Sequence, residues 1–104
     1  MSMTRVKEKD GWVCRFDKNM DSAACGDVEK ELKLVFAECK QSDGKISPLT
    51  FDTRDVEYIA SSFLRLCAMA VKTLGTDNVK VVNVKPMIKK VFMIAGFSEL
   101  LRVE

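Results

Sequence analysis

The chain has 104 residues, of which 47% are hydrophobic and 31% are charged, and this length and balance fit one globular domain, residues 1–104, with a single core. The formal net charge is only +2 and the Lys and Arg residues are scattered, which argues against a nucleic-acid partner. The longest strongly apolar run, residues 63–71, contains Arg65 and is far shorter than the roughly 20 residues needed to cross a bilayer, so we expect no membrane insertion.

The N-terminal quarter is predicted to form a hairpin. Two short strand-like runs, residues 4–8 and 11–16, flank a Lys-Asp-Gly turn and should therefore pair antiparallel. Residues 17–20 follow as a polar connection. Asp21 or Ser22 is then expected to cap the next helix, because their side-chain oxygens accept hydrogen bonds from first-turn amides.

The following segment is predicted to be an amphipathic helix and then a strand. Apolar residues recur at spacings of three and four, so the helix should pack through one stripe. The members of this stripe are Cys25, Val28, Leu32, Val35, Phe36 and Cys39. After a loop at residues 41–45, residues 46–52 are expected to form a strand, although Pro48 weakens its start.

The third quarter is predicted to hold a buried helix and a buried strand. Residues 61–74 are mostly apolar or small after the first two, which indicates a helix that is buried on more than one side and ends at Gly75. Residues 79–84 are β-branched and nearly continuous, which is typical of a strand buried on both faces.

A last helix is predicted to begin at Pro86 and end at Gly96. Its core-facing stripe should consist of Met87, Ile88, Val91, Phe92 and Ala95. Residues 100–104 are expected to form a short strand or helical turn. The alternation of strands and helices predicts an α/β domain in which a mixed β-sheet is packed with α-helices.

Residue types that carry out catalysis are scarce. The absence of histidine removes the commonest zinc ligand and every Ser-His or Cys-His nucleophile pair. The sequence also has no glycine-rich phosphate loop and no paired carboxylates at the end of a predicted element. We therefore expect a protein that is not an enzyme, with no catalytic residue, no metal and no cofactor.

The cysteines are predicted to be reduced and mostly buried. They show no Cys-x-x-Cys spacing and lie inside predicted elements, so they fit neither a metal site nor a disulfide framework. The four residues are Cys14, Cys25, Cys39 and Cys67.

The most informative segment is residues 56–64, where an apolar, strand-like run ends at Ser61 and Ser62 and an apolar helix begins. A hydroxyl at a helix start has two physical uses. Its oxygen can cap the first-turn amides, or those amides can receive a phosphate placed there. The local pattern favours the capping role, and the phosphate role stays open as its alternative.

Two segments carry a specific resemblance to a known family: residues 51–63, FDTRDVEYIASSF, and residues 81–97, VVNVKPMIKKVFMIAGF. They resemble parts of STAS domains, the family typified by bacterial anti-sigma factor antagonists. The first is similar to the family's strand and serine-bearing loop, and the second to its next strand, its Pro-led helix and the Gly-Phe ending. The resemblance covers nearly all of the chain after residue 10. It implies a single STAS-like α/β domain that works as a protein-interaction module.

The resemblance also implies a site. In the family, a partner kinase that doubles as an anti-sigma factor phosphorylates the first hydroxyl residue of the loop, which matches Ser61, and Ser62 is the second hydroxyl. Asp21 falls where the family often has an acidic residue after its second strand. The implied partner-binding residues are Asp21, Ala60, Ser61, Ser62 and Phe63, and the phosphorylation candidates are Ser61 and Ser62.

Two residues depart from the family's loop: Ala60 replaces an aspartate and Phe63 replaces a glycine. The first change removes a charge and a hydrogen-bond acceptor, and the second places a ring where a kinase would approach. Two functions therefore stay open. One is a phosphorylation-switched antagonist in signal transduction and transcription regulation, and the other is a non-phosphorylated adapter within a transport or signalling assembly.

Residues 1–5 carry no apolar signal sequence, so we expect a cytoplasmic protein.

Some exposed-surface assignments have alternatives. Phe63 is expected to contact the partner, with a ring tucked under the loop as the alternative. Lys85, Lys89 and Lys90 either meet an acidic partner or form an ordinary solvated face. Met69, Met87 and Met93 are expected to fill the core rather than form a binding surface.

Overall fold

The fold begins with the predicted hairpin and then alternates strands with helices. It is described for residues 2–104 by a computed structural model, and Met1, which the predicted domain includes, lies outside the described residues. The strands are β1 (Met3–Glu8), β2 (Gly11–Phe16), β3 (Asn19–Met20), β4 (Leu49–Asp52), β5 (Tyr58–Ile59), β6 (Val79–Val82) and β7 (Arg102–Val103). The helices are α1 (Ser22–Cys39), α2 (Ser61–Leu74) and α3 (Pro86–Ile94).

Five strands form one mixed sheet in the order β1-β2-β4-β6-β7. The β1–β2 pair is antiparallel, and the other pairs are parallel because a helix connects each strand to the next. The hairpin turns at residues 9–10, and β2 begins at Gly11, where a Cβ atom would collide with the Pro48 carbonyl group, so the close approach of these two backbones requires glycine. The predicted α/β fold with a mixed sheet is confirmed.

The core lies between one face of this sheet and the helices, mainly α1 and α2, and α3 contributes Ile88 and Phe92. Every member of the predicted α1 stripe is buried, and all four cysteines are buried free thiols, as predicted. Burial raises the pKa of the Cys14 thiol to about 12 and that of Cys39 to about 11. These thiols are therefore protonated at neutral pH and unreactive while the protein is folded.

The prediction that residues 79–84 are buried on both faces is wrong. In β6, Val79 and Val81 are buried, whereas Lys80 and Val82 on the other face are only half-buried. β-Branched residues fit a pleated strand whether or not its second face is covered, so the composition of a strand does not show whether one face or both are buried. The strand ends at Val82, whose side chain lies on the half-buried face of the sheet rather than in the core.

The helix α3 is less buried than its sequence predicts. Ile88 and Phe92 are buried, but Met87, which was expected in the core, is 82% exposed. Val91, Met93 and Ala95, which were also expected in the core, are exposed as well. The reason is that α3 packs through residues spaced four apart on one side only, so its buried stripe is narrower than its apolar sequence.

Two shorter segments also differ from the prediction. Residues 19–20 form β3, which pairs in parallel with β5 in a separate two-stranded sheet, where a polar connection was expected. The predicted strand 46–52 begins only at Leu49, after Pro48. Within residues 2–104, no helix is long and apolar enough to cross a bilayer.

Candidate functional site

The two-stranded sheet brings two helix starts together. In β3 and β5, Met20 pairs with Ile59, and the Ala60 amide donates a hydrogen bond to the Met20 carbonyl at 2.9 Å. Since β3 leads directly into α1 and β5 into α2, both helices begin at this point. Asp21 and Ser61, which are far apart in sequence, therefore lie at adjacent helix starts.

The interpretation of Ser61 or Ser62 as an N-cap is wrong. The capping position of α2 is Ala60, whose side chain makes no capping hydrogen bond, and the serines are the first two helical residues. The Phe63 amide instead donates to the Ala60 carbonyl at 2.9 Å. The reason is that β5 ends at Ile59, which leaves one residue between strand and helix.

Asp21 caps α1, which confirms that part of the prediction. Its Oδ1 atom accepts a hydrogen bond from the Ala24 amide at 2.9 Å, and the Asn19 side-chain amide lies 3.5 Å from Oδ2. The carboxylate thus stabilises the first turn of α1 while remaining partly exposed to solvent.

The two serines differ in accessibility. Ser61 is exposed, and within residues 2–104 no side chain hydrogen-bonds to its hydroxyl group. The Ser62 Oγ atom is buried and has no hydrogen-bond partner among the described residues. It faces Cys25: burial raises the pKa of the Cys25 thiol, and the Ser62 hydroxyl opposes that shift. Of the two serines, only Ser61 presents its hydroxyl group at the surface.

The expectation that Phe63 contacts a partner is wrong for this conformation. Its side chain is 0% exposed, and its ring lies 5.0 Å from the Phe16 ring and 6.4 Å from the Phe51 ring, measured between centroids. The ring is tucked under the loop, which was the alternative hypothesis, because the third residue of α2 faces the sheet. It therefore does not stand between an approaching enzyme and the loop backbone.

A buried carboxylate that sequence reasoning missed fixes the loop before β5. Asp52 Oδ1 accepts hydrogen bonds from the Arg54 amide and the Asn83 side chain, both at 3.0 Å. Asp52 Oδ2 lies 3.3 Å from Arg54 Nη2 and 3.4 Å from Arg15 Nε. Burial alone would raise the pKa of Asp52, but the donors from Asn83 and Arg54 outweigh it and hold this pKa below its usual value.

The signal that could have identified Asp52 is its place in the chain. It ends one parallel strand, and Asn83 directly follows the neighbouring strand, so the two side chains meet at the same edge of the sheet. Asn83 has a positive φ of 58°, a conformation that asparagine tolerates better than most residues. The hydrogen bonds of Asp52 with Arg54 and Asn83 thus hold the start of the loop that leads to β5 and Ser61.

Charges of both signs lie in the segment next to Ser61. The Glu57 carboxylate is 3.9 Å from Lys18 Nζ and 4.0 Å from Lys85 Nζ, and the Tyr58 side chain is 54% exposed. The site thus combines an accessible hydroxyl, an uncapped helix start and an exposed aromatic residue. Such a set of groups suits recognition by another protein.

Comparisons with known proteins agree with this architecture. The family model for the STAS domain matches residues 3–104. An anti-sigma factor antagonist from Mycobacterium paratuberculosis has a similar structure, with a TM-score of 0.82 and 18% identity over 97% of this chain and 82% of that chain. The anti-sigma factor antagonist SpoIIAA in its unphosphorylated form gives 0.76 and 14% identity over 98% of this chain and 87% of its own.

The phosphorylated form of SpoIIAA, a Bacillus cell fate determinant, gives a TM-score of 0.70 and 14% identity over 98% of this chain and 90% of that chain. At these identities the likeness shows the fold. No curated protein matches the chain significantly. Because the family model covers residues 3–104, the resemblance noted in the sequence is confirmed, and this chain belongs to the STAS domain family.

Proposed function

We propose that this protein is a non-enzymatic, cytoplasmic interaction module of the anti-sigma factor antagonist kind. It would act as a single STAS domain that docks onto a regulatory protein through the paired helix starts at Asp21 and at residues 60–62. The observation that carries the proposal is the exposed Ser61 hydroxyl at the first residue of α2, a helix whose first turn has no side-chain cap.

Ser61 is the proposed phosphate acceptor. A phosphate there would add about −1.5 to −2 charges at a helix N-terminus, where the helix dipole and free amides favour an anion. The exposed surface at the start of α2 would then become strongly negative, next to the Asp21 carboxylate. Docking would then be lost while the fold is kept, because Phe63 and not Ser61 anchors α2. One structural neighbour, SpoIIAA, has been solved in both phosphorylated and unphosphorylated forms, which supports testing this switch here.

A second candidate is a constitutive adapter in a transport or signalling assembly. Ala60 favours it, because the loop lacks the carboxylate that the family's usual aspartate would supply. The same helix starts would still form the docking surface. The two candidates differ in whether the bond to the partner responds to a phosphate.

In the experiment, the full chain is incubated with ATP and a cognate kinase of the anti-sigma factor type, and the product is analysed by peptide mapping. We expect phosphate on Ser61. The Ser61→Asp variant should release the partner with little change in thermal stability, and Ser61→Ala should stay bound. Ser42→Asp is the matched control, because Ser42 is an exposed serine beyond the far end of α1.

Three outcomes would contradict the switch. Phosphate found only on Ser62, or on no residue, would remove Ser61 from this role and favour the adapter. Equal loss of binding by Ser42→Asp would show a general charge effect rather than a site.

A further inference from the structure

We propose that the exposed side of α3 is a second docking surface, which binds an acidic amphipathic helix of a protein partner. The surface is built on the α3 stripe, defined as Met87, Val91 and Ile94. These side chains are 82%, 39% and 79% exposed. Their spacing of four and three residues places them on one face of the helix, away from the buried Ile88 and Phe92.

The stripe is a contiguous apolar surface, not a set of scattered residues. Its members follow one another along two turns, a length of about 10 Å at 1.5 Å per residue. Isolated exposed apolar side chains are ordinary, whereas a row of them with polar borders marks an interaction site. Two turns also match the spacing of the apolar anchors by which a helix binds a surface.

A groove extends the stripe at its N-terminal end. It encloses about 420 Å³ and is lined by Glu57, Lys85, Pro86, Met87 and Ile88. Its walls are largely apolar because Pro86, Met87 and Ile88 contribute them. The groove can accept one large apolar side chain of a helix that lies along the stripe.

The charge of this region specifies the partner. Residues 85–98 contain three lysines and no acidic residue. Lys90 follows Met87 by three residues and precedes Ile94 by four, so it borders the stripe. In the described part of the chain, Lys90 forms no ion pair, and the Lys85 ammonium group has only the Glu57 carboxylate at 4.0 Å. A partner helix with carboxylates beside its apolar face complements both lysines.

The same charges disfavour two other occupants. A second copy of this chain would place lysines against lysines across the contact. An anionic membrane would attract the lysines, but a flat lipid surface does not fill a concave groove. A folded acidic helix with one protruding apolar side chain fits the apolar stripe, the groove and the lysines together.

The groove includes Glu57 and Lys85, which lie in the segment next to Ser61, but the α3 stripe shares no residue with the helix starts at Asp21 and Ser61, and its occupation requires no phosphate. The inference therefore stands apart from the proposed function. A Ser61→Ala variant should bind the α3 ligand as the unmodified protein does, so failure of either proposal can be recognised separately.

The test is an NMR titration of the ¹⁵N-labelled full chain with two synthetic helical peptides. One peptide carries Leu residues at i, i+4 and i+7 flanked by Glu, and the other has Lys in place of Glu. The acidic peptide should shift the amide signals of residues 86–94, and the basic peptide should not. Binding should weaken by about tenfold or more in the double variant Met87→Ser/Ile94→Ser. Leu34→Ser is the control, because Leu34 is a 58% exposed apolar residue on α1.

A charge reversal sharpens the test. Lys90→Glu should weaken binding of the acidic peptide and strengthen binding of the basic one. The inference is overturned if the acidic peptide gives no shifts at α3, if both peptides bind equally, or if Leu34→Ser reduces binding as much as the double variant. It is also overturned if the acidic peptide does not bind while another interaction depends on Met87 and Ile94. The two such interactions to measure are binding to phosphatidylglycerol vesicles and self-association in sedimentation equilibrium.

Discussion

The two helix starts that meet at the small sheet are built from similar positions but are held in different ways. Each helix is entered from a two-residue strand, with the capping residue next, Asp21 for α1 and Ala60 for α2. In α1 the cap is a side chain that accepts a hydrogen bond, and the third helical residue is the small Ala24. In α2 the cap is apolar, and the third helical residue is Phe63, whose ring is fully buried.

Because of this difference, the group that holds the start of α2 in place is not the group that is exposed at its surface. The first turn of α1 depends on a polar contact at the surface, so a charge change there alters the helix itself. The first turn of α2 depends on a ring beneath the loop, so its polar surface is free to change. A residue that gains or loses a phosphate must lie where the fold does not depend on it, and Ser61 meets that condition.

Removing the ring should break the comparison most severely. Phe63→Ala deletes a buried aromatic side chain from the contact with Phe16 and Phe51, and such deletions cost about 3–5 kcal/mol of unfolding free energy. Against a typical total of about 5–15 kcal/mol, that is a large loss. Urea denaturation measures it, with the exposed Leu34→Ala as the control. A variant that keeps its stability but loses a partner would show that the ring leaves the core to bind.

Removing the polar cap should weaken only α1. Asp21→Ala leaves the Ala24 amide without its acceptor, and loss of a cap costs about 1 kcal/mol, within a range of about 0.5–2. Asp21→Asn, which keeps a capping oxygen, should recover most of the loss in the same denaturation experiment. If both variants are equally unstable, the negative charge and not the hydrogen bond stabilises this helix start.

The regular elements were predictable because the determining forces are local. The α1 stripe follows from residue spacing, and the end of α2 follows from the Gly75 stop; the start of α2 was predicted at the right residue, although Ala60 and not a serine holds the capping position. Spacing also indicated the direction of Phe63, because this residue begins the buried stripe of α2 that continues at Leu66 and Cys67, but the resemblance led to the expectation of a partner contact. The pairing of β3 with β5 was not predictable, because strands of two residues leave no periodicity in a sequence.

Other parts of the site escaped prediction for the same reason. The contact between Asp52 and Asn83 joins residues 31 positions apart, and only the parallel register of β4 and β6 brings them together. The open face of Val82 and the exposure of Met87 depend on which layers are present. A single sequence states how apolar a residue is, but not whether anything covers it.

Giving α2 the cap that α1 already has should make the two starts alike. Ala60→Asp supplies an oxygen to the free first-turn amides and should raise the unfolding free energy by about 0.5–1 kcal/mol. Because Asp21 lies at the adjacent helix start, charge repulsion reduces the gain, so the uncharged cap Ala60→Ser is the matched variant. Differential scanning calorimetry measures both. An unchanged melting temperature in both variants would mean that solvent already satisfies these amides fully.

The smallest expected effect comes from the second helical residue, which is Ser62 in α2 and Ala23 in α1. The Ser62 Oγ atom is buried without a hydrogen-bond partner, and a buried hydroxyl in that state carries an uncompensated desolvation cost. Ser62→Ala should therefore leave the unfolding free energy unchanged or raise it by up to about 1 kcal/mol. Denaturation at neutral pH tests this, with Ser22→Ala at the exposed start of α1 as the control. A loss of stability confined to Ser62→Ala would instead show that this hydroxyl bonds to the neighbouring Cys25 thiol and that α2, like α1, has a polar anchor at its start.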